Sequence, residues 1–452
     1  MQTHFPSGDG SDLGVGLLLT PFRGVRYDLS RVGGLANVTS PPYDVIGPGT
    51  LERLLAASLY NVVRLILPAD VLGGTAARSV AAPTADPRAG DEDAAARLRD
   101  WLAEGALTAD GAPAFYVYEQ RGADWVQRGL IGLVGVGTGA VLPHEGVMAG
   151  PVAGRRELMK ATRSNLEPIL LVYNGGAGAG GHGGPAGPGD ASRLTDRTAD
   201  GEPPLACAVT DDGITHRLWA VTDPAVQAAI AADLATRRAL IADGHHRYAA
   251  YRELRAEQRN AGEGAGPWDY GLAFLVDADE YPLRLGAIHR VLPRLAPAEA
   301  VRLAAGAFTV TEVSEQAAFE RLAAAGESGT AFLLTGSGGY WLLTDPDPRQ
   351  LEAAMPPGTS PRWRALDASV MQELLLARLW SIKDNERDVL ISHDAAEAVR
   401  TAADSGGTAV ICNPMPLAAV MDIAARGEKV PRKSTSFGPK PLTGLVLRTF
   451  DA

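Results

Sequence analysis

RALIADGHHRYAAYRELRAEQ, residues 238–258, is the most informative stretch of the 452-residue chain. Its first part is apolar and ends in Asp243-Gly244, the pattern of a buried strand closed by a turn. Its second part changes period. Tyr248, Tyr251, Leu254 and Arg255 recur at three- and four-residue spacing, which puts them on one side of a helix. A helix N-terminus offers N–H groups without intrahelical partners and the positive end of the dipole. Arg247 and the imidazoles of His245 and His246 stand at that end. The junction is therefore predicted to hold an anion, most naturally phosphate, at Gly244, His245 and Arg247. Asp243 adds a carboxylate able to act as a base or to hold Mg²⁺. The plainer alternative is a capped helix, with Asp243 bonded to the first-turn amides.

Working outward, LPHEGVMAGPVAGRRELMKATRSNLEP, 142–168, sets His144 and Glu145 at the end of an apolar strand. Glu145 is the choice for a general base, and His144 and His246 are assigned catalytic roles beside it. Arg156, Lys160 and Arg163 fall on one face of the helix that follows, where a basic stripe suits an anionic substrate or a solvated surface. In PPYDVI, 41–46, two prolines stiffen the backbone ahead of Tyr43 and Asp44. Tyr43, Asp44, Arg155 and Arg163 are taken as substrate-binding candidates. Near the C-terminus, VPRKSTSFGPKPLTGLVLR, 430–448, collects Lys433, Ser434 and Lys440. The chain has five lysines (Lys160, Lys383, Lys429, Lys433 and Lys440), and three of them, Lys429, Lys433 and Lys440, fall within twelve residues. A compact, mobile point charge is what a phosphoryl-transfer site needs and what Arg does not supply. Lys433, Ser434 and Lys440 are expected to fold back over the N-terminal half and complete the phosphate site. His144 and Glu145 are expected to face the same cavity as Asp243, since strand ends gather at ligand crevices.

Composition narrows the classes. Hydrophobic residues make up 46% and charged residues 21%, so a sizeable core is available. The formal net charge of −11 and the lack of a basic face disfavour a nucleic-acid partner. Two cysteines, Cys207 and Cys412, make neither a CxxC pair nor a disulfide framework, which points to a reducing cytoplasm. No apolar run is long enough to cross a membrane, and the first residues lack the pattern of a secretory signal. There is no GxSxG, no Walker A loop, no HExxH and no complete dinucleotide fingerprint.

The alternation of strand and helix patterns predicts an α+β chain. Strands are expected at 61–67, 112–120, 129–137, 167–173, 238–244, 388–393 and 408–414, with a hairpin over 331–344. Helices are expected at 92–103, 155–165, 224–238 and 245–258, and over 365–380 with Asp367 as N-cap. Residues 1–14 read as a leader, 73–93 as a surface insertion and 175–190 as a glycine-rich loop. A break near 260–270 divides the chain into an N-terminal domain, 15–260, and a C-terminal one, 268–452, whose last segment returns to the site.

The ordered motifs PFRGVRYD, SPPYDVI, LPHE, RELMKATRSN, IADGHHRYAA and PRKSTSFGPKPLTGLVLR resemble the bacterial and archaeal family called domain of unknown function 1015 over about 17–450. More distantly, DGHHRYAA is similar to the phosphate-binding turn of the ParB/sulfiredoxin-like fold, and to the motif of archaeal free serine kinases within it. The resemblance implies a ParB/sulfiredoxin-like core with a second α+β half. It also implies a nucleotide-dependent phosphotransferase acting on serine, with a Glu as base and ATP, ADP or pyrophosphate as donor. Because Arg247 is the one fixed cation of the turn, Mg²⁺ is expected as well, held by Asp243 or Glu145. A phosphoserine phosphatase of serine biosynthesis and a non-enzymatic ParB-like nucleotide- or DNA-binding protein are the alternatives. The sequence departs from the family after Glu145: a Lys and an Asp are replaced within Pro151-Val152-Ala153-Gly154, ahead of Arg155.

Overall fold

The computed structural model describes residues 16–68, 87–176, 189–383, 385 and 387–451. The expected leader, residues 73–86 of the expected insertion and residues 177–188 of the glycine-rich loop lie outside these. The chain is α+β and forms two compact units. Unit 1 comprises 1–142, 147–283 and 439–452, and unit 2 comprises 143–146 and 284–438. The sequence reading put the break at 260–270. The chain leaves unit 1 later because Tyr270–Asp277, with seven of its eight residues buried, is a central strand of the unit 1 sheet.

Unit 1 is built on a nine-stranded mixed sheet. Its strands are β1 (Leu19–Thr20), β2 (Phe115–Arg121), β3 (Val126–Gly135), β4 (Val141–Leu142), β5 (Ile169–Tyr173), β6 (Ala206–Val209), β7 (Thr215–Val221), β8 (Ala239–Asp243) and β9 (Tyr270–Asp277). The order is β4-β8-β5-β9-β3-β2-β7-β6, with β1 added to β3. β8 runs parallel to β4 and antiparallel to β5, while β5 and β9 are parallel. Continuous apolar runs such as Ile169–Tyr173 and Ala239–Asp243 are buried along their whole length, as strands covered on both faces must be. Among the helices of this unit are α1 (Ala149–Thr162), α2 (Asp190–Gly201), α3 (Pro224–Leu234) and α4 (His245–Asn260). α4 packs Tyr248, Tyr251 and Leu254 into a core shared with Ile169, Leu171 and Ile241, the face its sequence period predicts. The segment 439–452 closes the unit, with Leu445, Val446 and Leu447 buried and Leu447 bridged to Val25.

One expected strand is a helix. NVVRLIL forms a helical turn over Val63–Ile66. The Asn61 side chain accepts from Val63 N–H at 3.0 Å and donates to the carbonyls of Asn37 and Thr39. This local bond starts the turn and overrides the β-branched propensity.

Unit 2 carries a six-stranded antiparallel sheet of β10 (His289–Leu292), β11 (Thr309–Val313), β12 (Phe332–Gly336), β13 (Gly339–Thr344), β14 (Leu390–Ser392) and β15 (Thr408–Cys412). Its order is β11-β13-β12-β15-β10-β14. The hairpin expected over 331–344 is β12–β13. The expected helix over 365–380 starts at Asp367 but widens to a π-helix over Val370–Leu379, as in the Trp380 N–H to Leu375 carbonyl bond of 3.0 Å. The N-cap is Leu366, and the Asp367 carboxyl is engaged elsewhere, by Thr330 and Ala331. Among the described residues no helix is long and apolar enough to cross a membrane.

Candidate functional site

β8 delivers the motif. Its register against β5 shifts between Ile241 and Asp243, a bulge that re-aims Asp243 at the strand end. Gly244 follows at φ 94°, the left-handed region where a Cβ is costly. A Cβ there would also come within 2.8 Å of Ile169 Cγ2. α4 begins at His245 with Gly244 as its N-cap and no side-chain cap. The alternative in which Asp243 caps the first turn is therefore not what forms.

Asp243 instead sits between two cations. Its Oδ1 is 2.6 Å from Lys440 Nζ, and its Oδ2 accepts from Arg247 Nη2. Lys440 also donates to Asp44 Oδ2 at 3.2 Å. The three side chains come from the proline-led turn, the end of β8 and the C-terminal segment, all within unit 1. Burial alone would lower the Lys440 ammonium, but Asp243 and then Asp44 outweigh it and raise it above its ordinary value. Burial would raise the Asp44 carboxyl, and Lys440 and then Arg247 reverse this and hold it below its ordinary value. Lys440 keeps 23% of its side chain exposed, against 8% for Asp243. Lys440 is thus the more accessible of the two cations in this cluster.

Arg247 lies behind that layer, with 3% of its side chain exposed. Besides Asp243 it bonds the Pro168 carbonyl. Its inward guanidinium braces the turn against the start of β5. Glu167 is buried beside it, accepts from Tyr43 N–H at 3.1 Å, and lies 3.6 Å from Arg155. Burial raises the Glu167 carboxyl, with Arg247 and Arg155 offsetting it in part. Arg155 stacks over the Tyr43 ring at 4.3 Å and donates to the Ile66 carbonyl. The space bordered by Arg155, Glu167 and Arg247 is about 20 Å³, enough for one water. Tyr43 and Arg155 are thus held by internal partners. Glu167 was not singled out from sequence, although it lies within the quoted 142–168 motif. Its burial is a tertiary property.

His246 Nε2 accepts from Met148 N–H at 3.1 Å, so that ring ties α4 to the start of α1. Arg156 and Lys160 reach across to α4, where Arg156 meets Glu253 at 3.0 Å and Lys160 meets Glu257 at 2.6 Å. Arg163 pairs with Asp451. The stripe is an interhelical ion-pair ladder rather than a row of open cations. Pro151 falls in the first turn of α1, where its missing N–H removes no intrahelical bond.

The other candidates lie in unit 2. His144 is fully buried, and its Nε2 is 2.9 Å from Thr435 Oγ1. The same hydroxyl donates to Glu145 Oε1 at 2.9 Å. Histidine, threonine and glutamate thus form a continuous hydrogen-bonded row. Lys433, at φ 57°, turns the backbone so that the N–H groups of Ser434 and Thr435 bond the Glu145 carboxylate. Burial still dominates and raises the Glu145 carboxyl, against Thr435, Lys433 and those amides. Lys433 is exposed, while Ser434 is buried and donates to the Pro431 carbonyl. Thr435, which joins the row, was missed from sequence as an individual residue. Only its place in a hydroxyl-rich segment hinted at it.

The donor set does not fit Mg²⁺ held by Asp243. Both of its oxygens are taken by cations, and among the described residues no three His, Cys, Asp or Glu side chains gather to hold a metal.

A family model described as "Protein of unknown function (DUF1015)" matches residues 19–369. No curated protein matches the chain. Among solved structures, a free serine kinase in complex with AMP is similar at 16% identity, over 66% of this chain and 84% of that one, with a TM-score of 0.33. C-terminally truncated SbnI from Staphylococcus aureus is similar at 13% identity over 69% and 85%, with a TM-score of 0.36. A conserved hypothetical protein from Pyrococcus furiosus is similar at 14% over 68% and 90%, with a TM-score of 0.33.

Proposed function

The chain belongs to that family of proteins of unknown function, and we propose that it is a phosphotransferase that moves a phosphoryl group between a nucleotide and a small hydroxyl-bearing amino acid. Free serine is the substrate of choice. The observation that carries the reading is the turn at Asp243-Gly244-His245, an uncapped helix start with the Lys440 ammonium beside it. Backbone amides, helix dipole and a mobile cation are the parts that phosphate recognition needs. In this reading Gly244 and His245 take the phosphates and Lys440 follows the charge as it moves. Arg247 keeps the turn in shape from behind, and Asp44 with Asp243 keeps Lys440 charged. Glu145 is the proposed base for the substrate hydroxyl, with His144 behind it through Thr435 and His246 at the turn. Lys433 and Ser434 shape the loop that holds Glu145. Asp44, Tyr43, Arg155 and Arg163 remain proposed substrate-side residues, with Arg155 and Tyr43 acting through their mutual stacking. ATP, ADP and pyrophosphate are the donors to be compared. The likeness of DGHHRYAA to the motif of free serine kinases favours serine.

The test is product detection after incubation with L-serine and each donor in turn. Donor-dependent phosphoserine supports the proposal. Phosphate released from phosphoserine without nucleotide would replace it with a hydrolase. Neither product, together with nucleotide binding, would leave a binding module.

A further inference from the structure

Unit 2 contains a cavity of about 750 Å³, within the range of small-molecule sites. Ile288, Val370, Met371, Met415 and Ile423 form apolar walls, and the π-helix supplies two of them. Thioethers suit such a wall because they adapt to different shapes, and π-helical turns occur often at functional sites. The polar feature that stands out is Asp367. Its carboxyl borders the cavity and accepts from the Thr330 hydroxyl and the Ala331 N–H. Among the described residues no cation acts on it. The two arginines at the cavity have partners: Arg362 pairs with Asp422 and Arg364 with Glu352. Of the lining carboxylates, Asp422 is paired with Arg362 and Glu327 is exposed, which leaves Asp367 as the sheltered one without an ion-pair partner among the described residues. A largely apolar chamber with such a carboxylate selects against anions and for a positive group.

We propose that this cavity binds a small organic cation, a primary or secondary amine on an apolar body, with its ammonium on Asp367. The apolar part lies against Met371, Met415 and Ile423. The carboxyl's position between Thr330 and the helix start leaves it aimed and preorganised. Burial pushes this group up to about 6, so an arriving ammonium restores the charged form that burial disfavours.

The test uses the full chain with phenethylamine and with 2-phenylethanol, which shares its body but carries no charge, by calorimetric titration near neutral pH. Saturable phenethylamine binding is expected, with the alcohol weaker by about tenfold or more. Asp367→Asn is expected to bring the amine down to the alcohol's affinity. A second readout needs no change at Asp367. In Cys207→Ser, where Cys207 is an exposed thiol, Cys412 on the cavity wall is the remaining cysteine. Phenethylamine should slow its modification by methyl methanethiosulfonate, and the alcohol at the same concentration should not. Equal binding of both probes, undiminished amine binding in Asp367→Asn, or no protection of Cys412 would overturn the proposal.

Discussion

Lys440 illustrates how one residue can hold two roles. It neutralises Asp44 and Asp243, and it is the accessible cation of the turn. Lys440→Met leaves two carboxylates facing each other. We expect a loss of about 1–3 kcal/mol, below the range for a fully buried pair because Asp44 is half-exposed. Lys440→Met combined with Asp243→Asn should lose less than Lys440→Met alone, because the stranded charge is gone. Chemical denaturation of both variants checks this, and equal losses would mean the ion pair is idle. Glu145 yields a prediction about turnover. A carboxyl raised by burial works as a base only once deprotonated, so turnover should climb with pH through a value above the ordinary 4.5. Glu145→Gln should cut turnover about 10²- to 10⁴-fold while nucleotide affinity stays within about twofold. Retained turnover in that variant would remove Glu145 as the base. Of these residues, Asp243, Glu145 and Lys440 were legible in the sequence as polar groups at strand ends or as Lys in an Arg-rich chain. Glu167 and Thr435 were not, because their significance comes from burial and from partners over a hundred residues away.

At the scale of elements, the β8–α4 junction depends on a backbone shape. Gly244→Ala forces a Cβ into the left-handed region and against Ile169 and the Arg247 guanidinium. About 1–2 kcal/mol comes from the backbone alone, and the contact with Ile169 adds to it. The expected outcome is lower stability and loss of nucleotide binding, read by thermal unfolding with and without ADP. A variant that keeps wild-type affinity would show that the turn is not the anion site. The period change at residue 244 made this junction readable from sequence, whereas the helix at Val63–Ile66 was not. There an Asn side chain bonding locally outweighed a run that, by composition, favours a strand.

Taken as a whole molecule, the chain stores an acid-sensitive group away from the turn residues. His216 is buried in unit 1, with Tyr118 Oη 2.8 Å from Nδ1 and Thr210 Oγ1 3.1 Å from Nε2. Burial lowers its imidazole from 6.5 to about 4. The unfolded chain takes up a proton near pH 6.5 and the folded one does not until about pH 4. Stability is therefore present above 6.5 and falls as the pH drops through that window, by up to about 3 kcal/mol. His216→Gln should flatten this slope in denaturant titrations between pH 7 and 4, and an unchanged slope would assign acid sensitivity elsewhere. Ending the chain at residue 438 removes Leu445, Val446 and Leu447 from the unit 1 core along with Lys440. At about 1.5–3 kcal/mol per large buried side chain, unit 1 should lose cooperative unfolding. A sharp, unshifted transition would mean that the segment only decorates the surface.

From the sequence alone came the α+β alternation, the strand–turn–helix at 238–258, and the family to which the chain belongs. Each is carried by local periodicity, by the conformational demands of glycine and proline, or by a short ordered motif, so neighbours in sequence suffice to state them. Tertiary structure decided which charges remain available. Arg247 turned inward to Asp243 and Pro168, the Arg156 and Lys160 stripe was used up on Glu253 and Glu257, and Lys440 stayed within reach of solvent. A charge written in sequence carries no statement of its partner. Its partner depends on which surfaces the core brings together, and burial then sets how strongly the two must pair.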